Sequence, residues 1–193
     1  LNVKIGLPVV REGDDEAVAH IAVAAALQLL RRHTELAQIL RRMAHQAVGQ
    51  GLADKIFYLT ARTVTRTVAK EAFDLLRRQG YQGRVLTITA KEKLCLCEEM
   101  DCNPVHCPYA RGHYDRVNEA VFDILLRERD FTREVLLSQA GQFQVCPFEM
   151  CLDASLWVDD IICDYNYVFD PNVYLKRFFA EGIKGDYLFL VDE

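Results

Sequence analysis

Two short apolar runs with a helical segment between them constrain this fold more than any other feature of the chain. Lys55-Ile56-Phe57-Tyr58-Leu59-Thr60 and Arg84-Val85-Leu86-Thr87-Ile88-Thr89 are rich in β-branched and aromatic residues and are bounded by turn residues. Between them Val64, Val68, Ala72, Phe73 and Leu76 recur at helical spacing, and Gln79-Gly80 closes the helix. A strand, a crossover helix and a second strand predict a parallel unit of an α/β sheet. Ligands of such sheets gather at the carboxyl ends of the strands, which singles out Thr60, Ala61, Arg62 and Thr63. Hydroxyls, backbone N–H groups and an Arg at a helix start suit a phosphate of a nucleic-acid backbone. The same residues would equally serve as a hydroxyl cap with a solvated Arg beside it.

The second constraint is the placing of the cysteines. All seven, Cys95, Cys97, Cys102, Cys107, Cys146, Cys151 and Cys163, fall in the stretch from Leu94 to Asp164. No charged-then-apolar leader opens the chain, and no apolar run approaches the roughly 18 residues a bilayer span needs. Those absences read as a cytoplasmic protein, and the ends at Leu1 and Glu193 read as those of a fragment. In a reducing compartment an odd cysteine count favours metal ligation over disulfides. The net charge of -5 gives no global basic footprint, so any nucleic-acid contact must come from a local patch.

Four of the cysteines crowd between Lys91 and Cys107 around the turn Asn103-Pro104, which can bring three thiolates to one centre. Four thiolates suit a cubane iron–sulfur cluster or a structural zinc, and the count alone does not separate the two. The chain has no Cys-x-x-Cys knuckle of the kind common in zinc sites, whereas three clustered cysteines and a distant fourth fit a cluster pinning an inserted lobe. Cys97, two positions from Cys95, competes with it as ligand. Cys151 and Cys163 lie in apolar surroundings and read as core residues. His106 reads as an exposed loop residue.

The remaining elements follow from periodicity. Ala17 to Met43 predicts a helix with Ile21, Ala25, Leu29, Leu36 and Leu40 on its apolar stripe. Tyr109 to Arg129 and Thr132 to Gln139 predict two more helices. Ile161 to Phe169 predicts a strand, and Asn172 to Ala180 a short helix. The last run, Tyr187-Leu188-Phe189-Leu190-Val191, predicts a buried strand finishing in Asp192-Glu193, the form of a Walker B motif. There the first carboxylate holds Mg²⁺ and the second orients or deprotonates the attacking water.

Taken in order, Tyr58 to Thr63, Leu94-Cys95-Leu96, the clustered cysteines, Cys146-Pro147-Phe148, Asp164 to Pro171 and Leu190-Val191-Asp192-Glu193 form a specific series. It resembles the superfamily 2 iron–sulfur helicases of the XPD and DinG group, especially bacterial DinG-like members, over about residues 52 to 193. The resemblance implies part of a RecA-like P-loop NTPase motor domain of α/β class with an inserted, mostly helical 4Fe-4S lobe. It further implies an ATP-dependent helicase that moves 5′ to 3′ on single-stranded DNA.

On this resemblance residues 51–91 begin the motor domain, 92–156 form the cluster lobe and 157–193 return to the motor; residues 1–50 have no clear place in the family. Cys95, Cys102, Cys107 and Cys146 would hold the cluster. Thr60, Arg62 and Thr63 would sit in motif Ia on the DNA backbone, and Asp192 and Glu193 would begin the Asp-Glu-Ala-His box that serves Mg²⁺ and ATP. In the family the cluster lobe borders the DNA channel, which makes Arg111 and Tyr114, with Lys91, Lys93, His113 and Arg116, candidates for contacting the strand. Tyr114 would stack a base.

The departures are as definite. No Gly-Lys-Thr or Gly-Lys-Ser phosphate loop occurs in the 193 residues, and the family's second motor domain, a partner of this one, has no counterpart here. Without that loop the γ-phosphate is not held, so the chain alone is expected to be inactive on ATP. The alternative from another class is a non-catalytic zinc or iron–sulfur module that contacts nucleic acid or protein.

Overall fold

The computed structural model describes residues 53–61 and 63–191, with Glu35 and Gln38 in a helix. Apart from those two, the helix predicted over Ala17 to Met43 lies outside the described residues. So do Arg62, the Thr63 side chain, Asp192 and Glu193.

Strands β1 (Lys55–Thr60), β2 (Val85–Thr87), β3 (Asp130–Phe131), β4 (Asp160–Asp164) and β5 (Tyr187–Val191) form one sheet in the order β3-β2-β4-β1-β5. Every pairing is parallel, as the strand–helix–strand unit predicts. The helices are α1 (Thr63–Arg78), α2 (Lys91–Leu94), α3 (His113–Arg127), α4 (Arg133–Phe143), α5 (Pro147–Ala154), α6 (Asn166–Phe169) and α7 (Lys176–Phe179).

Alternation along the strands divides the core in two. Tyr58, Val85 and Ile162 face α1 and meet Ala69, Ala72, Phe73 and Leu76. Their neighbours Phe57, Leu59, Leu86, Ile161 and Cys163 face the other way, into a larger cluster with Phe131, Val117, Ile124, Leu136, Met150 and Cys151. Both faces of the sheet are therefore covered, the usual condition of an all-parallel sheet. Cys151 and Cys163 are fully buried, as their apolar surroundings predict, and burial pushes both thiols up to about 12.

The segment between β2 and β4 is mostly helical, and it is built onto the sheet. β3 pairs with β2, and α3, α4 and α5 contribute to the same core as Phe57 and Leu86. Arg77 at the end of α1 reaches across to the Asp130 carboxylate at 3.5 Å and the Arg129 carbonyl at 3.1 Å, fastening the two-residue edge strand.

Several boundaries differ from the sequence reading: β2 ends at Thr87, α4 runs on to Phe143, and three others have a plain cause. The strand predicted to run to Phe169 stops at Asp164, whose carboxylate pairs with Arg66 of α1. Beyond it Val168 and Phe169 donate their N–H groups back to the Tyr165 carbonyl, so the alternating aromatics lie on a helical turn. The helix predicted from Asn172 begins at Lys176, because Asn172 N–H is taken by the Asp170 carboxylate and Tyr174 N–H by the Asp170 carbonyl. Helix α3 starts at His113 and not near Tyr109, since Gly112 holds a left-handed φ of 64°. A Cβ at Gly112 would also stand 2.6 Å from the Arg116 guanidinium.

One buried carboxylate sits among these strands. Asp160 accepts a hydrogen bond from the Tyr81 hydroxyl at 2.5 Å, and burial pushes its carboxyl up to about 7. A native pKa above the unfolded value of 3.8 means the folded chain binds the extra proton, so this group's contribution to stability falls as pH rises from 3.8 to about 7. Asp160→Asn removes that dependence. Urea unfolding at pH 5 and pH 8 should show the variant gaining on the natural chain at the higher pH; an equal difference at both values would refute it.

Candidate metal centre

The cysteine cavity is assembled by two stretches that secondary structure brings together. The first begins where Leu94, fully buried, anchors the single turn of α2 and leaves Cys95 as its C-cap, with its N–H on the Lys91 carbonyl at 3.0 Å. The loop that follows is shaped by Asx turns: Asn103 N–H is held by the Asp101 carboxylate and Val105 N–H by the Asn103 side chain. Cys107 then turns back onto the Asn103 carbonyl at 2.8 Å. The second stretch starts at Cys146, the N-cap of α5, where Pro147 suits the first helical position.

Cys95, Cys97, Cys102, Cys107 and Cys146 all line one cavity of about 220 Å³. A water molecule occupies about 30 Å³, so the space suits a group of several atoms as well as a single ion. All four predicted ligands are thus brought together, and so is Cys97. The Cys97 and Cys107 sulfurs stand 3.9 Å apart. Partial burial, then the neighbouring Cys107 and Cys95 thiols, push the Cys97 thiol up to about 11. Thiols so crowded resist ionising together until a cation joins them. Among the described residues no three donors converge as a group on one ion position.

The surroundings carry donors for negative sulfur. Burial raises the Cys146 thiol, and the backbone N–H groups of Glu149 and Phe148 at the start of α5 oppose that rise. Lys91 lies 3.7 Å from the Glu149 carboxylate and over the Phe148 ring. Burial alone would lower Lys91, but its contact with the Cys102 sulfur and the charges of Cys102, Glu149 and Cys146 hold it above its ordinary value. The sequence marked Lys91 for DNA; the structure turns it toward the thiols.

The other candidates fall in different surroundings. Lys93 and Arg111 are exposed, and the Arg111 guanidinium donates to the Pro104 carbonyl at 3.3 Å and the Val105 carbonyl at 2.8 Å of the cysteine loop. Arg116 buckles α3 to the end of α4 through the Phe143 and Gln144 carbonyls at 3.0 and 2.6 Å. His113, another candidate for the strand, is buried. Tyr114, by contrast, is 83 % exposed at the mouth of the cysteine cavity and free to stack. Thr60 is correctly placed at a strand end but wholly buried, so its hydroxyl does not face a phosphate in solvent. His106 is exposed, as expected, and pairs with Asp101 at 2.7 Å.

A larger cavity of about 650 Å³ shares Lys91, Phe148 and Glu149 with the first and extends to Asp164, Asn166, Lys176 and Arg177. Asp164 closes β4 opposite Thr60 of β1, so the larger cavity, which shares a wall with the cysteine cavity, reaches the carboxyl edge of the sheet. No helix among the described residues is long and apolar enough to cross a membrane. In sequence comparison the chain matches no family model and no curated protein.

Proposed function

We propose that the chain is part of the first RecA-like motor domain of an ATP-dependent DNA helicase, carrying a 4Fe-4S cluster on Cys95, Cys102, Cys107 and Cys146. One observation carries the reading: cysteines from two separate stretches line a single cavity that adjoins the carboxyl edge of a parallel sheet. The donor set fits the group, being soft sulfur in a roomy pocket with a Lys and helix N–H groups turned toward it. A bound cluster would supply a rigid tie between the cysteine loop and α5. Around it Arg111 and Arg116 hold the loop and the neighbouring helix ends, and Tyr114 offers its ring to a base of single-stranded DNA.

By the family resemblance Arg62 and Thr63 serve the DNA backbone, and Asp192 and Glu193 serve Mg²⁺ and the attacking water. ATP turnover needs a phosphate loop and the second motor domain besides; the 193 residues contain no Gly-Lys-Thr or Gly-Lys-Ser. The chain by itself is therefore inactive on ATP.

A second reading, a zinc module without a motor role, is favoured by one distance. Two thiolates on a tetrahedral zinc with bonds of about 2.3 Å stand roughly 3.8 Å apart, and the Cys97 and Cys107 sulfurs are separated by 3.9 Å. Anaerobic purification with metal analysis decides between them. The expected protein is brown and holds about four irons per chain; a colourless protein containing zinc would sink the cluster reading. ATP turnover by the chain alone, stimulated by single-stranded DNA, would contradict the expected inactivity.

A further inference from the structure

His113 lines the cysteine cavity, and neither the ligand set nor the proposed DNA contacts give it a task. It is the first residue of α3, 3 % exposed, with its ring edge-on to Tyr114. Its Nδ1 lies 3.2 Å from the Cys146 nitrogen and accepts that residue's N–H. A neutral imidazole carries one proton, so an accepting Nδ1 leaves that proton on Nε2. Nε2 is itself buried and has no hydrogen-bond partner among the described residues. A buried donor without an acceptor is destabilising, and the cavity is where an acceptor can arrive.

We infer that His113 donates its Nε2–H to sulfur in the cysteine cavity and thereby favours the reduced form of a cluster held there. The inference rests on the cluster reading above. A protonated Nε2 has no lone pair to give a metal, and moving the proton to Nδ1 would break the bond to Cys146 N–H. His113 is thus a donor and positioning residue, and the ligands remain cysteines. Thiolate and sulfide grow more negative when a cluster gains an electron, so a hydrogen bond to them strengthens on reduction and raises the potential.

The test uses the whole chain, purified anaerobically, and its His113→Phe variant, which keeps a buried ring and loses the donor. Iron is counted first, and then each protein is titrated with dithionite and followed by electron paramagnetic resonance. The expected variant keeps its iron and has a lower potential, with the ratio of reduced to oxidised cluster at a fixed poise down by about threefold to tenfold, a part of the worth of one hydrogen bond to a charged group because the bond is present in both states. Full iron with an unchanged potential overturns the inference and leaves the cluster reading standing. If the variant loses its iron, the natural chain labelled with ¹⁵N-histidine decides. Nuclear coupling of a histidine N–H to the reduced cluster supports the donor, and its absence overturns it. A natural chain without iron overturns the cluster reading and this inference together.

Discussion

Replacing Cys146 with Ser is expected to strip the chain of iron. The residue stands alone at the start of α5, away from the cysteine loop, and the backbone N–H groups of Glu149 and Phe148 favour negative charge on its sulfur. A hydroxyl suits the N-cap position, where Ser is favoured, but is a poor ligand for iron. Helix and core should therefore survive while the cluster does not. Iron per chain should fall close to zero with far-ultraviolet circular dichroism unchanged, and Cys102→Ser should behave alike. Cys151→Ala is the matched control, because that thiol is buried on the same helix, packed in the core and outside the cavity lining. Its iron content should equal that of the natural chain. Retention of iron in Cys146→Ser would show the ligand assignment to be wrong.

The second large effect is on stability. Phe57→Ala should cost about 3–5 kcal/mol, the range for emptying a buried aromatic site. The Phe57 ring is fully buried and touches four others, Phe178 and Phe179 at 5.3 Å between centroids and Tyr187 and Phe189 at 5.5 Å. Those contacts join β1 to β5 and to α7, beside the β1–β5 ladder. Phe169, 68 % exposed, gives the comparison, and Phe169→Ala should change stability by no more than about 0.5 kcal/mol. Urea denaturation measures both. A loss below about 1 kcal/mol for Phe57→Ala would mean that the site closes over the cavity and that the ring is not a keystone.

What the sequence made legible follows from how far each signal travels along the chain. The β1–α1–β2 unit was readable because strand and helix periods are local and the helix is long enough to repeat its pattern. Cys151 and Cys163 were readable as core because their neighbours are apolar. β3 was not readable: two residues, Asp130 and Phe131, carry no period, and only pairing with β2 makes them a strand. The alternating aromatics from Tyr165 to Phe169 imitated a strand, and the hydrogen bonds to the Tyr165 carbonyl decided otherwise.

At the cysteine cavity, residue types were readable and directions were not. Lys91, Arg111, His113 and Arg116 looked alike as polar groups near a loop, yet His113 is buried, Lys91 and Arg116 are half-buried, and Arg111 is exposed like Tyr114. The first four turn to thiols or backbone groups that sequence spacing does not reveal. A Gly directly before His113 was the available signal that a helix starts there, and with it that the imidazole belongs to the first turn. Thr60 shows the converse: the strand-end rule located it correctly, and nothing in its local sequence announced that it would be buried.

The wall of Lys91, Phe148 and Glu149 has two sides, and each side is the lining of a different cavity. A ligand that draws the Lys91 ammonium into the larger space takes a cation away from the thiols in the smaller. Filling the smaller space changes, in turn, what the larger one offers an anion. By thermodynamic linkage the two effects on affinity must be equal in size. Were both chambers to take ligands, occupancy of either would be written into the binding constant of the other.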